Sequence, residues 1–201
     1  MLEVKALRLG AYQTNCYIIR EASSSHCCII DPGYDADVIL DKLTELGLTV
    51  QAIALTHGHF DHVGAVREIA ADTGCRVYLC PEELQLPSQL TAGRLYYTDT
   101  YGEGTRLTLA GLDITVLHTP GHTPGSVCLL TEGALFSGDT LFAGSCGRTD
   151  LPGGSREQMA ASLKRLANIR ENLWVLPGHG ETSTLDSEKK YNPYLRQEET
   201  P

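Results

Sequence analysis

At 201 residues the chain has the size of one large domain or two small ones, and its 42% hydrophobic and 20% charged residues suit a globular fold with a proper core. A formal net charge of -9 argues against binding a nucleic-acid backbone, which needs a basic face. No apolar run reaches the roughly 18 residues of a membrane-crossing helix, and the N-terminus lacks a basic-then-apolar leader, so a cytoplasmic protein with no membrane partner is expected.

Residues 2–9 alternate apolar and polar and predict a strand. Residues 15–19 and 26–30 predict two more, joined as a hairpin across the polar turn 21–25, and Asp31-Pro32-Gly33 stops the third. Over 37–46, Val38, Ile39, Leu43 and Leu46 recur at helical spacing, with Gly47 as the C-cap. Residues 50–55 predict a strand, 63–73 a helix ended by Gly74, and 76–80 another strand. The pattern weakens over 81–101, where two prolines, Gly93 and Tyr96, Tyr97 and Tyr101 predict an irregular excursion that either covers a core edge or faces substrate. Strands resume at 105–109, 113–118, 127–131 and 135–137, before a Gly-rich stretch, 138–154. Ser155 caps a predicted helix running to Asn168, with Glu157 in its first turn. A strand at 172–176, a loop at 177–181 and a helical tail over 187–197, interrupted at Asn192-Pro193, complete the chain. No repeat or linker divides it. A single domain over 1–201 is expected, with two sheets packed face to face and helices outside.

Seven cysteines occur without a CxxC pair, most in apolar strands, and read as reduced, buried small hydrophobes. Cys146, in a Gly-rich loop, reads as a passive thiol.

The chemistry concentrates at THGHFDH, residues 56–62, directly after a predicted strand. Neutral imidazoles and a carboxylate suit zinc, iron or manganese. His57 and His59 share one side of an extended backbone, Asp61 continues that series and His62 steps out of it. Four donors so close together cannot all grip one tetrahedral ion, so two adjacent metals are expected. Three later loops each set a donor after a strand, beside Gly or Pro: His122 in TPGHTPG, Asp139 in SGDT and His179 in PGHG. With Asp139 shared as a bridge, one ion would take three His and the other two His plus Asp61. Five of the seven histidines fall in these loops, whereas His26 and His118 read as strand residues.

HxHxDH at 57–62, TPGHTPGS at 119–126, SGDTLF at 137–142 and PGHG at 177–180 together resemble the metallo-β-lactamase superfamily over nearly the whole chain. TNCY at 14–17, the Asp31-Pro32-Gly33 turn and GRTDLPGG at 147–154 are most similar to its short hydroxyacylglutathione hydrolase (glyoxalase II) members. The resemblance implies an α+β fold, a four-layer αββα sandwich with metals at one edge of the sheets. It also implies that the C-terminal helical, glutathione-gripping domain of full-length glyoxalase II is not expected here.

The activity implied is hydrolysis of a small-molecule thioester such as S-lactoylglutathione. Two divalent ions, zinc first with iron or manganese as alternatives, would sit about 3.5–4 Å apart and hold a bridging hydroxide that attacks the carbonyl. Asp61 would ligate one ion and orient that hydroxide, and Arg148 is the candidate cation for an anionic substrate, unless it holds its loop by pairing with Asp150 or a ligand carboxylate. The rival reading is a persulfide dioxygenase, similar in its GRTD stretch, with one iron held by His57, His122 and Asp139.

Overall fold

The structure, a computed structural model, describes residues 1–91 and 93–196. Strands β1 (Leu2–Leu9), β2 (Thr14–Glu21) and β3 (His26–Ile30) form an antiparallel meander. Helix α1 (Ala36–Leu46) carries the chain to β4 (Thr49–Ala54), which pairs parallel with β3. Helices α2 (Phe60–Val63) and α3 (Val66–Thr73) lead to β5 (Arg76–Leu79), and the short β6 (Asp99–Thr100) closes a sheet of order β1-β2-β3-β4-β5-β6.

The second sheet begins as a meander of β7 (Arg106–Leu109), β8 (Leu112–His118), β9 (Val127–Thr131) and β10 (Ala134–Gly138). A small ribbon follows, β11 (Leu141–Phe142) with β12 (Ser145–Cys146). Helix α4 (Arg156–Ala167) then crosses to β13 (Trp174–Pro177), parallel to β10, before β14 (Ser183–Thr184) and α5 (Leu185–Tyr191). The strand order is β14-β13-β10-β9-β8-β7.

Three apolar layers explain why these sheets stack. Side chains alternate along a strand, and here both faces of the central strands are covered. Tyr17, Ile19, Cys28, Ile30 and Ala54 from the first sheet meet Val116, Leu129, Phe136 and Leu176 from the second. Their strand neighbours Cys16, Ile18, Ile29 and Ile53 point the other way, onto Ile39 and Leu43 of α1 and Ile69 of α3. Cys128, Leu135 and Val175 likewise turn onto Met159, Leu163 and Leu166 of α4 and Leu185 of α5. The result is the αββα sandwich that the motifs implied. All seven cysteines are free; six are buried in these layers and Cys146 is half-buried.

The helix expected over 63–73 is two pieces. Gly64 lies where a Cβ would fall 2.3 Å from the Gly33 carbonyl oxygen, and Ala65 N–H donates to Pro32 O, so the chain turns between α2 and α3. The 81–101 excursion opens with a short 3-10 helix, Pro81–Gln85, and ends in β6. The tail helix starts at Leu185, capped by the Thr184 hydroxyl, and stops at Tyr191; residue 197 of the expected tail lies outside the described residues. Among the described residues no helix is long and apolar enough to cross a membrane.

Candidate metal centre

Five loops leave the same edge of the sandwich, after the C-terminal ends of β3, β4, β8, β10 and β13. The carboxyl ends of parallel strands are where open α/β sheets place ligands. These loops carry Asp31, then His57 to His62, His122, Asp139 and His179.

The donors gather in two groups. Ligating atoms of His57, His59 and His122 lie within 4.8 Å of one another, and so do those of Asp61, His62 and His179. Asp139 stands between them: its Oδ1 is 3.4 Å from His62 Nε2, and its Oδ2 is 3.5 Å from His122 Nε2 and 3.6 Å from His179 Nε2. His59 is extended, but Phe60 already begins α2. Asp61 therefore does not continue the extended series of His57 and His59 as the sequence suggested. A turn of helix instead swings Asp61 and His62 together toward His179.

Hydrogen bonds behind the rings fix which nitrogen faces inward. His122 Nδ1 lies 2.8 Å from Arg148 O; a carbonyl only accepts, so the ring proton is assigned to Nδ1 and the Nε2 lone pair faces Asp139. His62 Nδ1 meets Asp31 Oδ2 at 2.9 Å, which leaves Nε2 toward Asp139 and His179. Thr56 Oγ1 donates to Asp31 Oδ2 at 2.6 Å and accepts from His57 Nδ1 at 3.1 Å, so His57 also offers Nε2. Carboxylates and carbonyls behind ligand imidazoles are the usual supports of a metal site. Asp31 is thus a support of the donors, beyond its place in the Asp31-Pro32-Gly33 turn. Its signal was there, an acidic residue after a strand, and its left-handed backbone (φ 51°) marks a constrained position.

The cluster fits a cation on three counts. First, His57 Nε2, His59 Nε2 and Asp139 Oδ1 are buried without a hydrogen-bond partner, each such group costing about 1–3 kcal/mol. Second, none of the ion-pair partners of Asp31, Asp61 and Asp139 among the described residues is Lys or Arg; all are histidines. Third, burial, reinforced by the imidazoles around it, pushes His57 well below the usual histidine range and His59 down to about 4, which keeps both neutral as a ligand must be. Burial raises the Asp139 carboxyl, but the facing His62, His122 and His179 outweigh it and hold the group ionised. Asp61 is lowered the same way, burial being outweighed by the His179 hydrogen bond and by His62.

Arg148 is exposed and forms a two-pronged pair with Asp150, at 2.7 and 2.8 Å. Its backbone supports His122, while its side chain borders a cleft of about 680 Å³ shared with Gly147, Arg156, Met159 and Tyr194. Cys146 lines the same cleft, and burial raises its thiol pKa. His26 is exposed, and His118 Nε2 meets Pro124 O at 2.9 Å; neither enters a donor group.

With this geometry in hand, comparison with known proteins finds a consistent set. Residues 9–179 match the profile described as the metallo-beta-lactamase superfamily. The hydroxyacylglutathione hydrolase GloC of Haemophilus influenzae is 32% identical over 209 residues, spanning 96% of this chain and 98% of that one. The BLEG-1 B3 metallo-beta-lactamase structure is 37% identical with a TM-score of 0.88, over 98% of this chain and 100% of its own. TTHA1623, solved in a di-iron-bound form, is 38% identical with a TM-score of 0.86, over 96% and 100%.

Proposed function

Because the chain belongs to the metallo-beta-lactamase superfamily, we propose that it is a metal-dependent hydrolase of small-molecule thioesters, S-lactoylglutathione or another acyl-thiol. The similarity to GloC supports this substrate class. The observation that carries the reading is Asp139, whose two oxygens lie within 3.6 Å of histidines from both donor groups. His57, His59 and His122 would hold one ion, Asp61, His62 and His179 the other, with Asp139 between them. Their N/O character suits zinc, and iron or manganese in the same positions. The likeness to a di-iron protein keeps iron among the ions to be tested.

Ions bound there supply Lewis acidity, polarising a carbonyl and lowering the pKa of a coordinated water to about 7. The chain's own groups orient and hold the reactants. Asp61 is held from one side by His179 Nε2 at 3.2 Å and from another by the Thr14 hydroxyl at 3.3 Å. So fixed, and kept ionised, its carboxylate orients the attacking water by accepting a hydrogen bond from it. The water oxygen bonds to the acyl carbon, the C–S bond breaks, and the released protons leave a carboxylic acid and a thiol. Arg148 offers an anionic substrate the N–H groups its pair with Asp150 leaves free, two of five being used. All seven donors come from one αββα unit, so the chain acts as a single functional domain.

The test is metal analysis of the purified chain beside thiol release from a panel of acyl-thiols, with a chromogenic β-lactam and glutathione persulfide as controls. Two ions per chain and turnover of an acyl-thiol are expected, and Asp139→Ala should lose both together. One iron per chain with oxygen uptake on the persulfide would overturn the reading in favour of a mononuclear iron dioxygenase. β-Lactam turnover with no thioester turnover would overturn the substrate class.

A further inference from the structure

Glu83 lies in the 3-10 helix Pro81–Gln85 and is fully buried, yet it makes no ion pair among the described residues. A buried carboxylate is costly unless hydrogen bonds satisfy it. Here Oε2 accepts from Gly58 N–H at 2.5 Å and Oε1 from Gly125 N–H at 2.7 Å. Burial raises the Glu83 pKa, and bonds from Thr123, Gly58 and Gly125 pull it back. The placement of the two amides is selective. Gly58 separates His57 from His59, and Gly125 follows His122 by three residues. One carboxylate therefore joins the two loops that carry the three-histidine group, one loop from each sheet. None of its hydrogen bonds reaches Asp61, His62, Asp139 or His179.

The two glycines report the same fit. Neither has a positive φ, so backbone freedom is not what demands them. A Cβ on Gly125 would lie 2.8 Å from both the backbone N and Oε1 of Glu83, and one on Gly58 would lie 3.0 Å from Oε2. Glu83 fills the space a side chain on Gly125 would take, and at Gly58 it shares that space with Leu95 Cδ1, also 3.0 Å away.

We propose that Glu83 is a positioning residue for the three-histidine ion alone, setting the distance between the His57–His59 loop and the His122 loop. This rests on the two-ion reading above. The test titrates Co2+ into the metal-free full-length chain, followed by absorbance, in two single-site backgrounds. His179→Ala leaves the three-histidine group intact, and His59→Ala leaves Asp61–His62–His179. Glu83→Ala should weaken Co2+ binding about 10–100-fold in the first background, the usual effect of losing a support behind the ligands, and leave the second unchanged. Glu83→Gln keeps one acceptor and turns an amide N–H2 toward the other glycine, so its effect should be smaller and in the same background. Circular dichroism of the metal-free variants checks the fold, and where Glu83→Ala does not fold, Glu83→Gln gives the same comparison. Equal weakening in both backgrounds, or in neither, overturns the inference. A wild-type chain that binds one Co2+ would instead fail the two-ion reading, and the inference with it.

Discussion

Asp31 offers a sharp test of how the chain prepares a ligand. Its carboxylate is 1% exposed and accepts three hydrogen bonds, from Thr56 N at 2.8 Å, Thr56 Oγ1 at 2.6 Å and His62 Nδ1 at 2.9 Å. In Asp31→Ala the Thr56 hydroxyl can turn to His57 Nδ1 once that ring moves its proton to Nε2, but Thr56 N–H and His62 Nδ1–H become buried orphans. At about 1–3 kcal/mol each, they put the loss near 4 kcal/mol. For a chain of this size that is about 8–16 °C in Tm. Asp31→Asn separates stability from ligation. Its carbonyl keeps the bond from Thr56 N–H, while its N–H2 takes the Oδ2 place and donates to Thr56 Oγ1 and His62 Nδ1. His62 must then carry its proton on Nε2, the atom that faces Asp139 and His179. A protonated Nε2 cannot ligate. Asp31→Asn should thus regain most of the Tm yet bind the ion of the Asp61–His62–His179 group about 10–100-fold more weakly, or about 1.4–2.8 kcal/mol. Calorimetry of the metal-free protein and competition with a chromophoric chelator give the two readouts. Wild-type metal affinity in Asp31→Asn would refute the tautomer reasoning, and a wild-type Tm in Asp31→Ala would refute the orphan count.

On the two-ion reading, acidification should release the ions in order. Burial pushes His62 and His179 down, but Asp139 and Asp31 lift the first, and Asp61 and Asp139 the second, above the usual histidine value near 6.5. Protons therefore compete at their group first as pH falls, whereas His59 stays neutral to about 4. Metal content after stepwise dialysis checks this, and loss of the three-histidine ion first would contradict it. Gly178→Ala would place a Cβ 2.3 Å from Asp139 Oδ1 and 2.6 Å from His62 Cε1. Bound metal and turnover should fall together while the circular dichroism spectrum holds, and full metal occupancy would count against the packing described. Phe136, fully buried between the sheets and edge-on to Tyr17 at 5.2 Å, should cost about 3–5 kcal/mol when truncated to Ala, read by urea unfolding. A loss under about 1 kcal/mol would mean that the sheet interface is not where the core lies.

Apart from β1, which alternates, the strands were readable because turns bound them. Cys16 and Ile18 face α1 and α3 while Tyr17 and Ile19 face the other sheet, so both sides are apolar and the run is continuous. Four of the seven donors stood out because they crowd into residues 57–62, and the other three because Gly or Pro sits beside each. What the sequence concealed were contacts between residues far apart in the chain. Asp31 and His62 are separated by 31 positions and Glu83 and Gly125 by 42. Nothing local marks Pro81–Gln85 as more than a polar turn, since the partners of Glu83 are backbone amides whose positions only the fold sets. The register from His59 to Asp61 failed for a related reason. A two-residue period describes the loop only until Phe60 starts a helix, and that start depends on Gly33 packing against Asp61 and Gly64.

Each donor group draws on both sheets: His57 and His59 with His122, and Asp61 and His62 with His179. Convergence of the ligands is therefore a property of the sheet interface, and bonds that do not involve ions already hold it. Val127 N–H donates to Thr56 O at 2.9 Å, beside His57, and Asn15 N–H donates to Gly178 O at 2.7 Å, beside His179. The Asn15 amide also donates to Pro177 O and Gly180 O at 3.0 Å each, and the Tyr17 hydroxyl to Pro177 O at 2.7 Å. These bonds span the gap between the sheets next to the ligands themselves. They hold the backbone beside His57 and His179, so the geometry of those two ligands is set before any ion arrives and little ordering remains for binding to accomplish there. The TNCY stretch is thus tied to the site through β2, where Asn15 and Tyr17 anchor the His179 loop and Thr14 holds Asp61.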